Sequence, residues 1–143
     1  VFKISRRSLA IGLASVSAIG LSTLVFTDPA WAACSTATGI SFYDNANCTT
    51  FLKTINGDTQ INDLGATSPN MKDKISSVLE SPATSQGSWR LYLHSSINLG
   101  GTYLGLSNAS TTSFKYWNLS QLNFDNKAES LCQFRAVGSS SPC

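Results

Sequence analysis

Apolar residues in this chain recur in short runs with a period of two, and each run is cut off by Gly, Pro, Asn, Asp or Ser. Gly39-Ile40-Ser41-Phe42-Tyr43 alternates in this way and stops at Asp44-Asn45-Ala46-Asn47, which is turn chemistry. Residues 48–54 read as the returning strand, Asn56-Gly57-Asp58 as a further turn, residues 61–64 as a short apolar patch and residues 75–79 as the next strand, stopped by Ser81-Pro82. Residues 83–87 read as a linker. The pattern then begins again, with Trp89, Leu91 and Leu93 alternating against Arg90, Tyr92 and His94. A turn over 95–101, a return over 102–106, a polar loop, an aromatic cluster of Phe114, Tyr116 and Trp117, and a last strand over 131–137 complete the chain. No window sustains the 3.6-residue period of a helix, so the expectation is an all-β sandwich or barrel.

The second run of elements resembles the first. Lys72-Asp73-Lys74-Ile75-Ser76-Ser77-Val78 returns in altered form as Asp125-Asn126-Lys127-Ala128-Glu129-Ser130-Leu131, pairing Asp73 with Asn126, Lys74 with Lys127, Ser77 with Ser130 and Val78 with Leu131. Both copies set oxygen-bearing side chains in a short loop that runs into an apolar strand, an arrangement that suits a hard cation or a tight turn. The repeat length is roughly 50 residues and also matches Tyr43 to Tyr92. Four strands per half is the content of a Greek key, with the first over about 39–82 and the second over about 88–137. Ile40 or Phe42, Ile75, Val78, Trp89, Leu91, Leu131 and Phe134 are the expected core between two packed sheets.

Not all of the sequence belongs to that body. Lys3, Arg6 and Arg7 precede an uncharged apolar run over 9–26, and Ala30-Trp31-Ala32 offers a small-x-small cleavage pattern. Residues 1–33 therefore read as an export signal rather than a membrane anchor, and Ser5-Arg6-Arg7-Ser8-Leu9 resembles the twin-arginine type. Without this segment, three of ten basic residues and one of eight acidic residues are lost, leaving seven of each. A near-neutral chain argues against nucleic acid and anionic membrane as partners; an extracellular protein target is left open. Cys34, Cys48, Cys132 and Cys143 all follow the signal, and an even count in an exported chain reads as two disulfides. Three pairings exist, and the short loops lean towards Cys34 with Cys48 and Cys132 with Cys143. Zinc is disfavoured by the long intervals and the single His94.

With both halves in view, the residues resemble the βγ-crystallin family over nearly all of residues 34–143. Phe42-Tyr43-Asp44-Asn45-Ala46-Asn47-Cys48 is similar to the family's opening hairpin, as is the stretch from Leu91-Tyr92 to Gly100-Gly101, and the repeated loop is similar to its Asn/Asp-Asn/Asp-x-x-Ser/Thr-Ser motif. The family's hairpin glycine is present in the second half and replaced by Thr50 in the first, at a position that usually needs positive φ. The resemblance implies two Greek keys packed as a β-sandwich, and weak calcium binding at the loops. The implied ligands are Asp73, Ser76, Asn126 and Glu129, with Lys74 and Lys127 contributing backbone carbonyls only. Both loops depart from the motif: Lys72 stands where an acid or amide is usual, and Glu129 stands in place of a hydroxyl. The serines at Ser77 and Ser130 are implied to serve the fold by hydrogen bonding across the loop.

Enzyme chemistry finds little to work with. A nucleophilic triad would need His94 as its base, and the sparse carboxylates Asp44, Asp63, Asp73 and Asp125 all sit in turn contexts. Asn47-Cys48-Thr49, Asn108-Ala109-Ser110 and Asn118-Leu119-Ser120 match glycosylation sequons, which arise by chance in an Asn- and Ser-rich chain. The expected function is a secreted, non-enzymatic module, structural or weakly calcium-binding. The alternative is a small disulfide-bonded protease inhibitor or killer-toxin-like effector on the same fold, which a disulfide flanking Phe42-Tyr43 would favour.

Overall fold

Among the described residues, eight strands form where the period of two places large apolar side chains on one face. The computed structural model describes residues 34, 37–85, 87–136 and 143, so the expected export signal over 1–33 lies outside the described residues. One sheet contains β1 (Ile40–Tyr43), β2 (Phe51–Ile55), β4 (Ser77–Glu80) and β7 (Lys115–Asn118) in the order β2-β1-β4-β7. The other contains β3 (Thr59–Ile61), β5 (Trp89–Ser96), β6 (Gly100–Asn108) and β8 (Ser130–Arg135) in the order β3-β8-β5-β6. Every pairing is antiparallel. Each half keeps three strands in its own sheet and sends its third, β3 or β7, across to the other. The result is the expected sandwich of two Greek keys.

Strand register makes the internal symmetry explicit and corrects one residue match. Phe42 faces Val78 and Tyr43 faces Ser77 in the first sheet, while Leu93 faces Leu131 and His94 faces Ser130 in the second. With Val78 equivalent to Leu131, Tyr43 is therefore the counterpart of His94, not of Tyr92. The expected match was two residues out, a slip that hydrophobic pattern cannot detect because it leaves every side chain on the same face.

Between the sheets lie Ile40, Phe42, Ile55, Val78, Trp89, Leu91, Leu93, Leu106 and Leu131, joined by the loop residues Leu64, Met71, Ile75, Leu119, Phe124 and Ala128. Phe134 is not among them. It pairs with Arg90 across β5 and β8, on the outward face, and its ring stacks on Tyr92 at 6.1 Å between centroids. The outer face of the first sheet is covered separately by Tyr43, Leu79 and the Cys34–Cys48 disulfide, with Phe114 and Tyr116 packed against them. Cys132 and Cys143 form the second disulfide. The expected linker is tied down at both sides, since Thr84 and Gly87 bond each other's backbone.

Polar side chains latch the two sheets together at their ends. Gln133 donates from Nε2 to the carbonyls of Ile55 and Gly57, and Asn108 donates from Nδ2 to those of Glu80, Ser81 and Ser113. Asn108 is buried and its amide nitrogen is fully engaged, so that sequon is a structural latch. Ser81 accepts at Oγ from the Gly39 backbone and from Trp89 Nε1.

Glu80 is the counterpart of Gln133, facing Ile40 as Gln133 faces Leu91. It is fully buried; its Oε2 accepts from Trp117 Nε1 at 2.9 Å, and its Oε1 has no hydrogen-bond partner. Burial pushes its pKa up to about 7, against the opposing pull of the Trp117 bond and the charges of Lys115 and Arg90. A raised carboxyl pKa means that the folded state holds a proton which the unfolded state has lost, so stability falls as pH rises from about 4.5 to about 7 and is flat above that. The shift corresponds to about 3 kcal/mol. Glu80→Gln, which copies the other half, is expected to match the parent near pH 4 and exceed it by about 2–3 kcal/mol at pH 8; equal pH slopes in urea unfolding would contradict this.

Thr50 and Gly101 also occupy equivalent hairpin positions, at φ +57° and +71°. A Cβ at Gly101 would lie 2.5 Å from Ser95 Oγ and would displace that hydroxyl, on top of the strain of a positive φ, so glycine is favoured there. Thr50 instead carries the left-handed strain of a β-branched residue, relieved in part by the bond from Asn45 Nδ2 to its Oγ1. Thr50→Gly is expected to raise stability by about 1 kcal/mol, after the entropic cost of glycine, as measured by the denaturation midpoint.

Candidate functional site

The two motif loops meet at the pseudo-twofold axis because each completes the other's backbone bonding. Asp73 and Asn126 take φ of +52° and +50°, the left-handed region that Asp and Asn tolerate best after glycine. That turn aims the Asp73 N–H at the Ala128 carbonyl (3.0 Å) and the Asn126 N–H at the Ile75 carbonyl (3.2 Å). Leu64 N–H bonds the Glu129 carbonyl, and Leu119 N–H bonds the Ser76 carbonyl, in the same reciprocal way. Ser76 N–H and Glu129 N–H close on the carbonyls of Tyr43 and His94. The acid-or-amide position of each motif thus has a backbone task before any ligand is considered.

The sixth motif position is structural in both halves. Ser77 is fully buried and donates to the Asn45 carbonyl at 2.7 Å. Ser130, equally buried, donates to the Ser96 carbonyl at 2.6 Å and accepts from the Leu99 N–H at 3.0 Å. Each hydroxyl folds its hairpin back over the sheet.

The side chains expected to hold a cation are brought together in two unlike arrangements. On one side the buried Ser76 Oγ donates to Asn126 Oδ1 at 3.0 Å. Beside Asn126, Asp125 keeps one carboxylate oxygen, Oδ1, buried without a hydrogen-bond partner. On the other side the corresponding motif positions are Glu129 and Asp73, and Lys72 Nζ stands 3.2 Å from Glu129 Oε2. The Lys72 ammonium is held above its ordinary pKa, first by the hydrogen bond and charge of Glu129 and then by the charges of Asp73 and Asp63. Lys74 and Lys127 are exposed, and Lys127 Nζ donates to the Asn123 carbonyl at 2.8 Å. Calcium takes six to eight oxygens. Among the described residues no three His, Cys, Asp or Glu side chains gather as a metal group, and on the Glu129 side an ammonium already stands among the carboxylates. The donor set fits calcium poorly there, and offers the Ser76–Asn126 side mainly neutral oxygens.

His94 lies elsewhere, half-buried on the outer face of the second sheet. Its Nδ1 is buried without a partner, and burial lowers its pKa against a bond to the Gly100 backbone. Ser130, the serine opposite it, is committed to hairpin backbone groups. Among the described residues, the serine opposite His94 is therefore not activated by it. Tyr92, His94, Tyr103, Phe134 and Cys143 line an open surface groove of about 350 Å³, a feature that appears only once β5, β6 and β8 pair and bring these residues together.

No family model and no curated protein matches the sequence. Solved structures do match the fold. A structure concerned with the evolution of the eye-lens βγ-crystallin domain fold has a TM-score of 0.55 at 14% identity, over 71% of this chain and 90% of that one. The fold is βγ-crystallin-like. A βγ-crystallin domain from Flavobacterium johnsoniae (17% identity, TM-score 0.46, 70% of this chain and 98% of that one) and one from Clostridium beijerinckii (13%, 0.46, 68% and 98%) are similar as well. At 14% identity, the fold is what the first of these structures shares with this chain.

The two serines of this βγ-crystallin-like fold differ in how many groups they satisfy. Ser130→Ala strands both a carbonyl and an N–H and is expected to cost about 2 kcal/mol; Ser77→Ala strands one carbonyl and is expected to cost about 1 kcal/mol. Denaturant midpoints at unchanged m-value check the order, and equal losses would refute the unequal roles.

Proposed function

We propose that the chain is a secreted, non-enzymatic structural module whose folded state does not depend on metal, with weak calcium affinity at most. The observation that carries this reading is the closure of the two motif loops by the protein's own groups: the reciprocal backbone bonds, the Ser76–Asn126 hydrogen bond and the Lys72–Glu129 ion pair. A loop already satisfied in this way gains little from an ion, which must displace existing bonds before it adds its own. Calcium would enter on the Ser76–Asn126 side, where among the described residues no ammonium pairs with the motif residues and where Asp125, the neighbour of Asn126, keeps a buried carboxylate oxygen without a hydrogen bond.

Two disulfides support an oxidising compartment, and among the described residues no helix is long and apolar enough to cross a membrane. The Cys34–Cys48 bridge packs with Tyr43 and Leu79 as a cover for the first sheet. That structural task removes the reason for preferring an inhibitor or toxin.

The test is thermal unfolding of the oxidised protein in chelator and in millimolar calcium, paired with a calorimetric titration. The two melting temperatures are expected to agree within about 2 °C, as for a site with a dissociation constant near or above the calcium concentration. Unfolding in chelator, or micromolar affinity, would overturn the reading.

A further inference from the structure

The loop pair is symmetric in backbone and asymmetric in charge. In the pseudo-twofold relation Ser76 corresponds to Glu129, Asn126 to Asp73, and Asp125 to Lys72. Where one side joins a hydroxyl to an amide at 3.0 Å, the other assigns the same two positions to carboxylates. Asp73 bonds through its N–H to Ala128, immediately before Glu129, so two acidic residues stand at one loop junction, where like charges disfavour close approach. Lys72, the neighbour of Asp73, places its ammonium 3.2 Å from Glu129. The two residues that depart from the motif, Lys72 and Glu129, are thus the two that pair with each other.

We infer that Lys72 is the resident cation of this loop pair, the charge that lets the Glu129 side close without a metal ion. The inference rests on the structural-module reading and names the residue that makes one side metal-independent. Its ammonium, like that of any solvent-accessible lysine, is charged throughout the physiological range, and its neighbours favour that charge further. Glu129 in turn links the pair to the fold, because its carbonyl accepts from Leu64 N–H and its N–H donates to the His94 carbonyl. The contact is part-exposed, with side chains 39% and 26% accessible, so its effect is local and is sought at the loops rather than in global stability.

Native-state hydrogen exchange of the full oxidised chain tests it, read at the amides of Asp73 and Leu64, with those of Asn126 and Leu119 on the Ser76 side as internal references. Lys72→Met is expected to speed exchange at Asp73 and Leu64 roughly threefold, and Lys72→Arg to leave it near the parental rate. Millimolar calcium chloride is expected to reverse the effect in Lys72→Met and to leave the same amides of the parent unchanged. Three results would overturn the inference: no change in Lys72→Met, a change that calcium does not reverse, or a parental response to calcium as large as the variant's. The structural-module reading fails by a separate observation, unfolding of the parent in chelator.

Discussion

Two backbone hydrogen bonds hold the molecule's symmetry, one from Asp73 N–H to the Ala128 carbonyl and one from Asn126 N–H to the Ile75 carbonyl. Each half's loop would leave a buried or half-buried backbone group unpaired without the other half, and an unpaired group of that kind costs as much as a lost hydrogen bond. The exchange of β3 and β7 between sheets extends the same dependence to whole strands. Neither Greek key can satisfy its edges alone, so the two are expected to unfold as one cooperative unit.

On that symmetric frame the two halves have diverged by exchanging neutral groups for charged or strained ones. Gln133 latches the second sheet to the first through two carbonyls, while its counterpart Glu80 is a buried carboxyl whose pKa is pushed up to about 7. Gly101 fits its crowded hairpin, while Thr50 takes the same left-handed conformation with a branched side chain. Ser76 and Asn126 form a neutral bridge, while Glu129 pairs with Lys72. The chain tolerates these because a shared core of two sheets over-determines each local conformation.

The disulfides reinforce faces rather than sites. Cys34–Cys48 completes a cluster with Tyr43 and Leu79 on the outer side of the first sheet, and Cys132, opposite Tyr92, anchors Cys143 beside the aromatic groove of the second. Covering the outer face of the first sheet matters in a small domain, where a single core between two sheets buries limited apolar area.

What the sequence by itself determined is what depends on near neighbours: the all-β class from a hydrophobic period of two, the two repeated units, the turns at Asn and Gly, and the loops of Asp73 and Asn126. Each of these follows from residues within a few positions of one another. The tertiary structure decided the rest. Tyr43 corresponds to His94 because strand pairing, not side-chain alternation, sets register. Phe134 faces outward because its partner in the ladder is Arg90. Glu129 reads as a misplaced ligand in isolation, and becomes one half of an ion pair only when folding brings Lys72 to it from the other Greek key. No local pattern encodes that meeting, since a contact between residues so far apart along the chain exists only after the sheets have packed.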